Sequence, residues 1–269
     1  MTGASSGIGA EYAAQLARRG WSLVLVARRA ERLAGLSAAL GKTTAVETVV
    51  ADLAHPPDLA RVAERVAGDG VDLLVNNAGI NGYGPFAEVD PGLLTKVLDV
   101  NVVAPTVLTR AAVPQMVARG HGSVVNVASL LAFAGSLPPG PLPHRAVYGG
   151  SKGYLVTFTR TLAAELAHTP VRVQVVCPGL TATEFHLSGG EAPVPGEARV
   201  HNEGGMPPAE VVAASLASLE SGQVVCLPGL SDAEAERRLA SAELGLRDRS
   251  RPAVAATRRP RPTHPGDQR

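Results

Sequence analysis

The chain has 269 residues, 45% of them apolar and 18% charged, with 25 Lys and Arg against 24 Asp and Glu. That is enough for one large domain with its own core, and the near-neutral balance excludes the strongly basic face that nucleic acid or a membrane surface demands. Two cysteines, Cys177 and Cys226, cannot build a disulfide framework, and no apolar run reaches the roughly 18 residues of a spanning helix.

The chain opens on Thr2-Gly3-Ala4-Ser5-Ser6-Gly7-Ile8-Gly9, followed by Ile8, Tyr12 and Leu16 at helical spacing. A Val-rich strand is expected over Leu23 to Val26, then a helix carrying Leu33, Leu36 and Leu40, then a strand over Val46 to Val50. Further strands are expected at Val71 to Val75, Val124 to Val127, Val171 to Val176 and Val224 to Leu227. Apolar helical stretches run from Val97 to Leu108 and through Leu155, Leu162 and Leu166. Short Val-rich runs suit strands buried on both faces, and their alternation with helices predicts a doubly wound, Rossmann-like α/β parallel sheet. Residues 181–206, rich in Gly, Pro and polar side chains, follow a strand and are read as a substrate lid. The expected organisation is one dinucleotide-binding and catalytic domain over residues 1–230. A C-terminal extension over 231–269 is read as partly helical and then disordered, because it becomes Pro- and Arg-rich without periodicity.

In the opening turn, glycines allow a tight backbone and close ligand approach, and a helix N-terminus offers unpaired N–H groups to a pyrophosphate. A plain small-residue turn before a helix is the alternative. A dinucleotide fold places a strand just before this turn, yet only Met1 precedes Thr2. A gap is therefore expected between the strands at Leu23 and Val71, explained by a start site upstream of this sequence or by truncation. The start, MTGASSGIGAEY, lacks a leader pattern, and a cytoplasmic protein is expected.

Six motifs in order make the chain resemble the short-chain dehydrogenase/reductase family from Thr2 to about Leu230. They are the glycine motif at Thr2, Gly3, Gly7 and Gly9; Asn76-Asn77-Ala78-Gly79; the helix asparagine Asn101; Ser129 at a strand end; Tyr148 to Lys152; and Pro178-Gly179 followed by Thr183. The proline-rich 138–143 stretch between Ser129 and Tyr148 departs from the family pattern, as does the absent first strand. The resemblance implies a Rossmann-like sheet of strand order 3-2-1-4-5-6-7, with the first strand missing here. It also implies hydride transfer between a nicotinamide and a carbonyl or alcohol substrate, and pairing into a homodimer or homotetramer through the helices bearing Asn101 and Tyr148.

Tyr148 and Lys152 lie four apart and share one helix face. A free phenol with a pKa near ~10 is a poor base, and a neighbouring ammonium is expected to lower it. The resemblance makes Tyr148 the general acid/base and has Lys152 hold the ribose. Ser129 would bond the substrate oxygen as alkoxide character develops, and Asn101 would hold a water in a proton relay. Gly3, Ser5, Ser6, Gly7, Ile8 and Gly9 would cradle the pyrophosphate, and Asp52-Leu53 would contact the adenine, although Asp52 could equally cap the helix near Pro56. Asn77, Ala78 and Gly79 would line the cofactor, and Pro178, Gly179 and Thr183 its nicotinamide end. Arg28 and Arg29 stand where NAD-binding members carry an acid, which favours NADP(H) over NAD(H). No histidine shows metal-ligand spacing, so no metal is expected. A cofactor-binding protein impaired in catalysis, or a truncated remnant, is the competing reading.

Overall fold

The structure is a computed structural model, and it describes residues 1–68, 70–140, 142–185, 204–230 and 234–256. Two compact units emerge, Met1–Gly229 and Leu230–Arg269. In the first, helix α1 (Gly7–Arg18) leads to strand β1 (Leu23–Ala27), α2 (Ala30–Leu40), β2 (Val46–Val50), α3 (Pro56–Ala67) and β3 (Leu73–Asn76). There follow α4 (Pro91–Leu98), a π-turn (Asp99–Val103), α5 (Ala104–Arg119) and β4 (Ser123–Val127). A 3-10 turn (Leu130–Phe133), α6 (Ala146–Glu165), β5 (Arg172–Val176), α7 (Pro208–Glu220) and β6 (Val225–Cys226) complete this unit. The second unit contains α8 (Glu234–Ala256), rich in Glu and Arg. The tail read as disordered from about Leu246 is instead helical through Ala256, where α8 continues past the expected break. Residues 257–269 lie outside the described residues, as do most of the expected lid and Pro141 of the proline-rich stretch.

All strand pairs are parallel, as the βα alternation requires. They form two sheets, β1-β2 and β3-β4-β5-β6, so the doubly wound sheet is divided between β1 and β3. Met1 and Thr2 close only one end of this seam. Thr2 N–H donates to the Val75 carbonyl at 2.9 Å, Val26 N–H donates to the Met1 carbonyl at 2.9 Å, and Ala4 N–H donates to the Val26 carbonyl at 3.2 Å. The Met1 ammonium donates to the Val24 carbonyl at 2.7 Å. Beyond it the seam widens into a cavity of about 520 Å³, lined by Trp21, Val24, Val62, Arg65, Leu73 and Leu74 among others. The predicted gap is thus a half-gap.

Helices α1 and α7 cover one face of the strands, with Tyr12, Leu16, Val211, Val212 and Leu216 in the core. Helices α3 and α5 cover the other, through Leu59, Val62, Val66, Leu108, Ala112 and Met116. The continuous helical run Pro91–Arg119 is apolar enough by length and composition to cross a membrane. Its residues Val97, Val100, Ala104, Leu108, Ala112 and Met116 are nonetheless buried in the protein core. Strand β2 departs from the expectation of burial on both faces. It ends its sheet, and Glu47, Thr48 and Val50 are exposed, because a Val-rich run does not reveal whether a neighbour covers it.

Two buried polar chains set the helices in register. Tyr12 Oη donates to Ser215 Oγ at 2.5 Å, and Ser215 Oγ donates to Gln174 Oε1 at 2.7 Å, tying α1 to α7 and β5. Across the sheet, Asn76 Nδ2 donates to Asn126 Oδ1 at 2.9 Å and to Thr109 Oγ1 at 3.1 Å, while Asn126 Nδ2 donates to Thr159 Oγ1 at 2.9 Å. Buried polar groups need such partners, and directional bonds fix register where apolar contacts tolerate sliding.

Candidate active site

At the closed end of the seam, the glycine turn sits on the C-terminal ends of β1 and β3. Gly3 and Gly7 hold φ of 65° and 55°, the left-handed region where glycine carries little strain. A Cβ on Gly9 would lie 2.3 Å from the Gly3 carbonyl oxygen, and one on Gly3 would lie 2.7 Å from Asn77 Nδ2, so only glycine allows this packing. Asn77 Nδ2 donates to the carbonyls of Thr2 and Gly3 at 3.1 and 3.2 Å, and Thr2 Oγ1 accepts from the N–H groups of Asn77 and Ala78. Helix α1 begins at Ser6 without a side-chain cap and with no acid in its first turn. Its terminal N–H groups and partial positive charge are left to a ligand, an arrangement suited to a pyrophosphate.

From this turn a crevice of about 1380 Å³ runs across the strand ends. Of the residues expected to bind or react, Gly3, Ser5, Ser6, Gly7, Ile8, Arg28, Asp52 and Leu53 line its first part. Asn77, Ala78, Gly79, Ser129, Tyr148, Lys152, Pro178, Gly179 and Thr183 line the rest. Gly9 and Asn101 stand behind the wall. Gly9 lets α1 approach the turn, and Asn101 sits in the π-turn, fully buried. Its Oδ1 accepts from Ile80 N–H at 3.0 Å, and its Nδ2 donates to the Ile80 carbonyl at 2.9 Å and to Ser151 Oγ at 3.1 Å. Both ends of the Asn101 amide are therefore engaged in holding the segment after β3. Asp52 does not cap α3, whose N-cap is His55. It accepts from Ala54 N–H and faces Lys96 at 3.6 Å and Arg28 at 4.0 Å.

Helix α6 carries Tyr148 and Lys152 to the crevice floor. The phenol lies beside Ser129, close enough for its hydroxyl to act on the phenol, and the Ser129 hydroxyl accepts from Leu131 N–H at 3.1 Å. Lys152 Nζ donates to the Val127 carbonyl at 2.8 Å and lies 5.8 Å from the centre of the Tyr148 ring. Tyr83 meets that ring edge-on at 5.3 Å, and Phe185 leans on it at 5.5 Å. The electrostatics differ from the sequence expectation. Burial pushes the Tyr148 phenol well above its ordinary range, with Tyr83 adding to the rise and the Ser129 hydrogen bond opposing it. Burial also lowers the Lys152 amine to about 8, so desolvation governs both groups.

At the other end, Arg29 donates to Ser5 Oγ at 2.8 Å and to Ser6 Oγ at 2.6 Å. Glu184, in the segment after β5, meets Arg29 at 3.3 Å and Arg32 at 2.6 Å. Sequence reasoning missed Arg32, Lys96 and Tyr83 as crevice residues and had Glu184 and Phe185 only as unnamed parts of the expected lid. Arg32 had a local signal, one helical turn beyond Arg28 and Arg29, and Phe185 stands two residues after Thr183.

A family model described as short chain dehydrogenase matches residues 1–191. Among curated proteins, human "Dehydrogenase/reductase SDR family member 4" is 37% identical over 190 residues, covering 69% of this chain. That match spans 66% of the human protein, just under two thirds of its length. "Sulfoacetaldehyde reductase 2" of Chromohalobacter salexigens is 37% identical over 191 residues, 70% of this chain and 73% of that protein. Among solved structures, a short-chain dehydrogenase from Sphingobium yanoikuyae in complex with NADPH superposes with a TM-score of 0.82 at 35% identity, covering 92% of this chain and 94% of that one. Matched by that family model over most of its length and superposing on such a dehydrogenase across its parallel sheet, the chain belongs to the short-chain dehydrogenase/reductase family.

Proposed function

We propose that the protein is an NADP(H)-dependent oxidoreductase that interconverts a carbonyl and an alcohol, with Tyr148 passing the proton. The observation that carries this reading is the meeting, in one crevice, of a phosphate-suited glycine turn with a buried phenol–hydroxyl pair one helical turn from an amine. When bound, a nicotinamide supplies or accepts the hydride. Ser129 and Tyr148 offer hydroxyls where carbonyl oxygen gathers charge, and such aimed donors stabilise the transition state. The phenol is held protonated, the form that gives its proton to the developing alkoxide when a carbonyl is reduced. Lys152, tied to the Val127 carbonyl, keeps a second exchangeable proton beside the ring with an amine poised at about 8.

Three guanidiniums near the strand ends support NADP(H), in accord with their fit to phosphate and with the NADPH-bound relative. Leu130, Leu131, Leu142, Pro143 and Phe185 give the substrate end an apolar wall, which suits a carbonyl bearing apolar substituents. Self-association is proposed through the helix face that exposes Leu98, Val103, Val107 and Tyr154, the last stacked on Phe158 at 5.6 Å. The second reading is a cofactor-binding protein without turnover. A carbonyl panel with NADPH separates the two. Turnover that Tyr148→Phe abolishes while NADPH binding persists supports the oxidoreductase; NADPH binding without turnover on any carbonyl supports the alternative.

A further inference from the structure

We infer that Glu184 is a cofactor-selectivity residue: its carboxylate occupies an anion subsite built by Arg29 and Arg32, from which a 2′-phosphate must displace it. This rests on the nicotinamide-cofactor reading above. The subsite is assembled from two elements. Arg29 ends the turn after β1 and Arg32 lies in the first turn of α2, so both guanidiniums reach the same side of the crevice. Ser5 and Ser6 complete it with hydroxyls already bonded to Arg29. A single carboxylate oxygen, Glu184 Oε2, meets both arginines. The two guanidiniums hold that carboxyl below the usual carboxylate range, Arg32 more strongly than Arg29.

Planar guanidiniums that bind one carboxylate oxygen bind a phosphate oxygen with the same donors, so Glu184 stands in for a phosphate supplied from outside. The carboxylate also sits on a strap that crosses the crevice. Thr183 packs against Gly7, and Asn81 Nδ2 donates to the Phe185 carbonyl at 3.0 Å while the Phe185 ring rests on Tyr148. A cofactor with a 2′-phosphate has to exchange the Glu184 ion pairs for its own, whereas one with a 2′-hydroxyl makes no claim on the guanidiniums and leaves the pairs in place. Glu184 therefore restrains the preference for NADP(H) that the arginines create. Arg28 stands apart, facing Asp52.

The test compares NADPH and NADH binding by isothermal titration for the full chain, Glu184→Gln, Arg32→Gln and the double variant. Because the pairs are half-exposed, Glu184→Gln is expected to tighten NADPH roughly three- to tenfold and to leave NADH within about twofold. In the Arg32→Gln background most of that gain is expected to vanish, which isolates the coupling. Unchanged NADPH affinity in Glu184→Gln, or an equal gain for both cofactors, overturns the inference while leaving the proposed function intact. Failure of the full chain to bind either cofactor overturns both.

Discussion

At one end of the seam between β1 and β3, Met1 and Thr2 supply main-chain hydrogen bonds to both strands, and the glycine turn rises directly from them. At the other, Val24 and Leu73 look into a cavity of about 520 Å³. The same two strands thus border a crevice lined along its length and a cavity within the core. Only residues touching the strand ends are needed to shape a site at the carboxyl end of a parallel sheet, whereas stability depends on the whole length of each pairing. Thr2 marks the boundary between these regimes, because its hydroxyl carries Asn77 and Ala78 while its main chain carries Val75.

The comparison can be broken from either side. Tyr148→Phe removes the proposed proton donor at the crevice and touches nothing in the seam. Its kcat is expected to fall by about 10²- to 10⁴-fold with the melting temperature nearly unchanged, measured by steady-state assay beside thermal unfolding. The next effect belongs to the seam. Met1 is partly buried, and desolvation of its amine, reinforced by Arg65, lowers the pKa from 8.0 to about 5. Between these values the unfolded chain binds the proton and the folded chain does not, so stability should rise from pH 5 to pH 8. The contribution is about 4 kcal/mol at most, with the full cost of burying charge present below pH 5. Denaturant midpoints across that window, compared with an N-terminally acetylated chain that lacks the slope, check it.

Filling the open half sharpens the contrast. Five apolar, β-prone residues added before Met1 are expected to stabilise the fold by on the order of 2–4 kcal/mol, the apolar burial less the cost of ordering the strand. No rise in melting temperature would mean that the seam does not accept a strand. The smallest effect falls on the boundary itself. Thr2→Val leaves two N–H groups without their acceptor, at a cost of about 1–3 kcal/mol, and should weaken NADPH binding as the Asn77 segment loosens. A Kd by titration alongside the melting temperature reads both.

Much of this architecture was legible because it is local. The Val-rich runs at Leu23, Val46, Val124 and Val171 became strands, and the four-residue spacing of Tyr148 and Lys152 did place both on one helix face lining the crevice. What escaped was long-range. Glu184 reaches Arg32 across 152 residues and Asn81 reaches Phe185 across 104, contacts that no periodicity encodes. The exposure of β2 depends on a missing neighbour, and the state of Tyr148 on Tyr83 and Phe185, which its own helix does not supply. The spacing showed an amine near a phenol, but how dry the phenol is was decided elsewhere in the chain. The π-turn that seats Asn101 reads as ordinary apolar helix in one dimension.

The bond from Tyr12 through Ser215 to Gln174 has a consequence for how the crevice keeps its shape. Helix α1 is the floor beneath the glycine turn, beside the open half of the seam. Anchored instead to β5 and α7, it takes its depth and rotation from the four-stranded half of the protein, as a beam bolted to the far wall stays level when the near support is cut short.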